Sequence, residues 1–148
     1  MLRVALMGGV LWSLAACGIM PMHPEPTERI VARAMPSVVS LSDGTRSLGS
    51  GFVVAGGRVV TNAHLASAQR LLVVAPDGDS HLLRLLATDE KLDLAVLALD
   101  TGAFPTLALR RKPVRVGEKV IALGDPFGSG ITATLGIVSA APRVISGI

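Results

Sequence analysis

From Met35 onward, apolar positions come in short runs separated by Gly, Asp and Pro. "PSVVSLSDG" (36–44) is a β-prone run closed by Asp43-Gly44. "GSGFVVAGGRVVTNA" (49–63) holds two such runs around Gly56-Gly57 and predicts a hairpin. "RLLVVAPDGDSHLLRLLATD" (70–89) predicts a second hairpin, turning at Pro76-Asp77-Gly78. "DLAVLALD" (93–100) is an unbroken apolar run of strand length, which predicts a buried strand. "GEKVIALG" (117–124) and "ITATLGIVSA" (131–140) predict strands paired across "GDPFGSG". Only 27–35 and 64–69 carry a helical reading, and both are short. Many short strands with Gly and Asp turns make this an all-β chain, a barrel or a sandwich.

The first residues follow another pattern. Basic Arg3 precedes an apolar run from Val4 to Leu14, and small residues follow. The run is too short to span a bilayer comfortably as a helix. Its three-part build is that of a secretory signal. "LAAC", Leu14 to Cys17, resembles the lipobox of bacterial lipoproteins. The resemblance implies a signal peptide over 1–16, cleavage before Cys17, a diacylglyceryl group on its sulfur and an acylated amino terminus. Several acyl chains on one residue give stable anchoring, where one chain is marginal. The alternative is an ordinary signal peptide with an incidental cysteine. Gly18 in place of an inner-membrane retention Asp points the resemblance to the outer membrane, facing the periplasm. Cys17 is the only cysteine, so no internal disulfide forms. Residues 17–29 hold three prolines without apolar periodicity, which predicts a flexible tether. His23 lies there without a role, and the folded domain is expected over 30–148.

Composition narrows the class. Half the residues are apolar and 17% are charged, which excludes a disordered chain. With three Phe and one Trp, the core must rest on Val, Leu, Ile and Ala. A length of 148 residues suits one domain. The formal charge of +3 is spread thinly except at "LRRKPVR" (109–115), read as a solvated connector. No nucleic-acid module accompanies it, and no nucleic-acid partner is expected. His64 and His81 with an aspartate could form a metal site, but no close His/Cys spacing supports one. No metal and no cofactor is expected.

His64 follows a strand and Asp93 opens one, 29 residues later, the length of one hairpin. An imidazole held by a carboxylate is the general base of acyl-transfer sites, because the carboxylate fixes its tautomer and stabilises the imidazolium. On residues alone, both also fit plain turn and strand-end roles.

Six stretches settle the weighting. "AMPSVVSL", "GSGFVV", "VVTNAHL", "DEKLDLAVLAL", "VGEKVIALGDPFG" and "TATLGIVSA" occur in this order across roughly residues 30–143. Together they resemble the first half of the HtrA/Deg family of trypsin-like serine proteases. The resemblance implies a chymotrypsin-like double β-barrel, the first barrel complete and the second truncated. It implies His64 as catalytic His and Asp93 as catalytic Asp, and polypeptide substrates, above all unfolded or misfolded envelope proteins. It leaves room for homo-oligomers of a longer form.

The family order is His, Asp, Ser, with the nucleophile in a Gly-Asn-Ser-Gly-Gly-type loop downstream of "GIVSA". No such loop occurs before Ile148. Ser129, flanked by glycines, lies in the segment matching a hairpin turn of the second barrel, and Ser50 lies in a strand segment before His64. Neither matches the nucleophile, so none is assigned. The oxyanion-hole amides and the substrate-pocket walls belong to the same missing region, and any PDZ domain would lie beyond it. The reading is a lipid-anchored serine endopeptidase of the bacterial envelope, present as a part that is inactive alone. An incomplete second barrel should leave apolar strand surface exposed. The competing reading is a non-catalytic lipoprotein using the barrel as a binding or scaffold module.

Overall fold

The computed structural model describes residues 25–68, 70–75, 78–99, 104–126 and 128–140. Cys17, His23 and the signal segment lie outside the described residues, as do Pro76 and Asp77 of the second predicted turn.

Helix α1 spans Thr27–Ala34 and passes into a 3-10 turn, Met35–Ser37. It starts within the stretch read as a tether. Glu25 binds the Arg33 guanidinium through both oxygens, at 2.9 Å each, which ties down the approach to the helix. No residue of α1 is buried.

Six strands then close a barrel. They are β1 (Val38–Ser42), β2 (Ser47–Val54), β3 (Arg58–Thr61), β4 (Leu72–Val74), β5 (Ser80–Asp89) and β6 (Leu94–Leu99). Helix α2 (Ala63–Ala66) lies between β3 and β4. It is earlier and shorter than the 64–69 expected. Round the barrel the order is β1-β2-β3-β6-β5-β4, and β1 pairs with β4 to complete the circle. All six pairings are antiparallel. Closure leaves no free edge, which is why such short strands persist together.

The β1–β2 and β2–β3 turns are where the residues predicted them. Gly56 (φ 82°) and Gly57 (φ 64°) both occupy the left-handed region between β2 and β3, where a Cβ would be strained. The β1–β2 turn is fixed by Asp43, whose Oδ1 accepts from Thr45 N–H (2.8 Å), Thr45 Oγ1 (2.6 Å) and Arg46 N–H (3.0 Å). These donors, with Thr45 foremost, hold the Asp43 carboxyl well below the usual carboxylate range.

Alternate side chains point inward. Val39 and Leu41 of β1, Val53 of β2, Val59 of β3, Val73 of β4 and Leu97 of β6 are all at most 3% exposed. Burying one such branched side chain contributes about 1.5–3 kcal/mol. Strand β6 is not buried throughout, as its unbroken apolar run suggested. Ala95, Leu97 and Leu99 face inward while Val96 and Ala98 are half-buried, since a closed barrel has an inside and an outside. A register shift between Leu85 and Ala87 in β5 breaks the alternation and leaves both Leu85 and Leu86 exposed.

The remaining strands, β7 (Lys119–Gly124) and β8 (Thr132–Ile137), form a separate antiparallel hairpin. Every position of β8 is exposed, Leu135 and Ile137 included, as expected for a hairpin whose second barrel is incomplete. Between α1, the outer faces of β2 and β3, and this hairpin lies a cleft of about 870 Å³. Ile30, Val31, Phe52, Ile121 and Leu135 give it apolar walls.

Candidate active site

Strand β3 ends at Thr61, whose Oγ1 donates to the Ser50 carbonyl at 2.8 Å. The chain turns there into α2, which carries His64. Asp93 comes from the tight turn between β5 and β6. Its backbone N–H donates to the Glu90 carbonyl (3.3 Å), and its φ of 51° lies in the left-handed region. Asp tolerates that conformation better than most residues, since its short polar side chain can bond locally. Because β3 and β6 are neighbours, with Thr61 opposite Ala95, the end of one and the start of the other meet at the barrel rim.

There the two residues meet. Asp93 Oδ2 lies 2.8 Å from His64 Nδ1, and Oδ1 lies 3.0 Å from it. Oδ1 also accepts the His64 backbone N–H at 3.0 Å. Asn62 Nδ2 adds a third donor, at 3.0 Å to Oδ2 and 3.3 Å to the Asp93 carbonyl. An ionised carboxylate only accepts, so Nδ1 must carry a proton, and in the neutral ring Nε2 then offers its lone pair. Among the described residues, Nε2 has no hydrogen-bond partner. The His64 backbone N–H above all holds the Asp93 carboxyl below its ordinary range; burial opposes it, and the His64 ring and the Asn62 amide add to the lowering. The side chains are 65% and 44% exposed, so the ring is open to a reactant. Asn62 and Thr61 line the cleft beneath the β7–β8 hairpin, which places the pair at its edge.

The two serines weighed from sequence do not join this pair. Ser129 lies in the exposed β7–β8 loop, and Ser50 lies within β2. Neither makes a hydrogen bond to His64. His81 packs edge-on against Phe104, with ring centroids 5.9 Å apart. Among the described residues no group of three or more His, Cys, Asp or Glu side chains is placed to hold a metal ion.

One residue of consequence escaped the sequence reading. Asp125 follows β7 and is 2% exposed. Its Oδ2 accepts from Ser40 Oγ of β1 at 2.5 Å, and its Oδ1 accepts from the Gly130 N–H at 3.1 Å. This buried carboxylate joins the hairpin loop to the first barrel. The same loop presses Gly128 against Ser47, where any Cβ would come within 2.5 Å of the serine Cβ.

A closed six-stranded antiparallel barrel, a second antiparallel sheet across a cleft, and a carboxylate-held histidine at the rim define the chymotrypsin-like double-barrel class. Comparison with known proteins agrees. The profile of the trypsin-like peptidase domain matches residues 49–147. A probable periplasmic serine endoprotease DegP-like from Halomonas elongata is 40% identical over 113 residues, covering 74% of this chain and 24% of that protein. Mitochondrial serine protease HTRA2 of Bos taurus is 48% identical over 101 residues, covering 66% of this chain and 22% of its own length. The solved HtrA-type protease AlgW with tripeptide superposes with a TM-score of 0.72 at 36% identity, covering 82% of this chain and 42% of that one. The chain belongs to the trypsin-like peptidase family, and its relatives are of the HtrA type. It spans about a quarter of the length of the curated relatives it matches.

Proposed function

We propose that this chain is the His- and Asp-bearing part of a serine endopeptidase of the HtrA type, with His64 as general base and Asp93 as the residue that orients it. The observation that carries the reading is the contact of Asp93 with both the ring and the backbone N–H of His64. A single hydrogen bond would leave the ring free to pivot about it. The second, to the backbone, fixes the carboxylate relative to the strand end, so the ring is held in both tautomer and direction. In the reaction, Nε2 takes the proton of a serine hydroxyl as its oxygen attacks the scissile carbonyl. It then returns that proton to the leaving amine, while Asp93 stabilises the imidazolium between the two steps.

The substrates are polypeptides, entering along the cleft beside Asn62. The chemistry needs a serine and oxyanion donors that the sequence motifs of 1–148 do not contain, so the chain expressed alone is inactive. Its compartment is the bacterial envelope, a reading supported by relatives named as periplasmic endoproteases. Anchoring through acylated Cys17, with the chain facing the periplasm from the outer membrane, is supported by "LAAC" at 14–17. The test is incubation of the purified chain with casein, beside Ser129→Ala and His64→Ala variants. No cleavage by any of the three is expected. Cleavage by the parent that either substitution abolishes would make Ser129 the nucleophile.

A further inference from the structure

The segment joining the barrel to the hairpin holds a concentration of charge and exposed apolar surface that the catalytic reading leaves unused. Residues 109–116 contain four of the fourteen Lys and Arg residues, Arg110, Arg111, Lys112 and Arg115, and no Asp or Glu. A chain of formal charge +3 thus carries +4 in eight residues. Among these cations stand Leu109, Val114 and Val116, exposed by 66%, 42% and 62%.

The segment has a fixed shape. At one end the Leu107 N–H donates to the Val53 carbonyl, and at the other the Gly117 N–H donates to the Val138 carbonyl, each at 2.8 Å. Within it, Arg110 folds back to pair with Glu118 and to donate to the Pro113 carbonyl. Glu118 also accepts the Arg115 N–H at 3.1 Å. Glu118 therefore compensates Arg110 and lies close to Arg115. Arg111 and Lys112 make no ion pair among the described residues.

We propose that residues 109–116 form a contact surface for an anionic phospholipid bilayer. Cations beside exposed aliphatic side chains match the two layers of such a surface. The guanidinium and ammonium groups meet headgroup phosphates, and Leu109 and Val116 enter the acyl boundary. A nucleic acid matches less well. The segment has no aromatic side chain on which a base could stack, and its aliphatic side chains would gain nothing against a phosphate backbone. The surface is independent of the catalytic reading, and it would orient the barrel on the membrane whatever holds the amino terminus.

The test is co-sedimentation of the full chain with vesicles of mixed phosphatidylglycerol and phosphatidylcholine, against pure phosphatidylcholine. The apolar run Val4–Leu14 partitions into both alike, so the ratio of the two partition coefficients reads the charged surface. That ratio should fall about twenty-fivefold in R111Q/K112Q, at roughly fivefold per cation. L109S/V116S should weaken binding to the anionic vesicles while leaving capture by duplex DNA unchanged. Both pairs of side chains are exposed, so both variants should retain the parent circular dichroism. Equal partition of the parent into the two vesicle types would overturn the proposal, as would an unchanged ratio in R111Q/K112Q. Full vesicle binding by L109S/V116S, with DNA displacing the parent, would assign the surface to polyanions in general and overturn it too.

Discussion

Asp93 holds His64 at two points, the ring Nδ1 at 2.8 Å and the backbone N–H at 3.0 Å. Carboxylate, ring and strand end are thereby locked into one unit, with Nε2 unpartnered among the described residues. Asp93→Asn keeps the size of the side chain and tolerates the left-handed backbone, so the fold should persist. The amide has only one acceptor oxygen, and its other arm donates. It cannot satisfy the His64 ring, the His64 backbone N–H and the Asn62 amide together as the carboxylate does. Nitrogen NMR of His64 should show nearly pure Nδ1–H tautomer in the parent and a mixture in the variant. In a full-length active form the same change should lower kcat by about four orders of magnitude, the usual scale for a triad whose histidine is held in the wrong tautomer.

The low pKa of Asp93 has a direction in pH. Its folded value lies below its unfolded one, so the stabilisation is present above the ordinary carboxylate range. It is lost as pH falls through the lowered folded value. A carboxyl carbon titration of Asp93 should therefore give a midpoint below the ordinary value of a free aspartate. A midpoint at or above that value would contradict the three donors assigned to the carboxylate.

The fold was legible where chemistry is local. Gly56-Gly57, Asp43-Gly44 and the apolar alternation around them gave the strands, because turn and strand preferences act over a few residues. Closure of β1 on β4 was not legible, since it joins positions some thirty residues apart by backbone bonds that leave no mark on side chains. His64 and Asp93 stood out as an imidazole and a carboxylate at strand ends, and the family motifs gave them their pairing. Asp125 did not stand out. In "GDPFGSG" it reads as one more turn residue, and its partner Ser40 lies 85 residues away.

Asp125→Ala removes the acceptor for both the half-buried Ser40 hydroxyl and the exposed Gly130 N–H. Losing the two hydrogen bonds costs about 1–3 kcal/mol, at about 0.5–1.5 kcal/mol each. The variant should lose that much stability in urea unfolding. Amide exchange should also accelerate in β7 and β8 more than in β6, because the lost bonds tie the hairpin to the barrel. Uniform acceleration throughout would argue against a local link.

Gly51 makes a different demand. A Cβ there would lie 2.8 Å from the Val60 carbonyl oxygen and 2.9 Å from Val59 Cγ1, on the strand that leads to His64. Gly51→Ala should therefore destabilise the barrel by about 1–3 kcal/mol through overpacking. Thermal unfolding measures it, and an unchanged midpoint would mean that β2 and β3 approach less closely than described.

The central claim is that His64, oriented by Asp93, is the base of a serine endopeptidase. The direct measurement uses the gene product extended through a downstream Gly-Asn-Ser-Gly-Gly-type loop, assayed on casein beside its His64→Ala variant. Cleavage by the extended protein, reduced on the order of a million-fold by the substitution, is the predicted result. Cleavage that survives loss of His64 would contradict it.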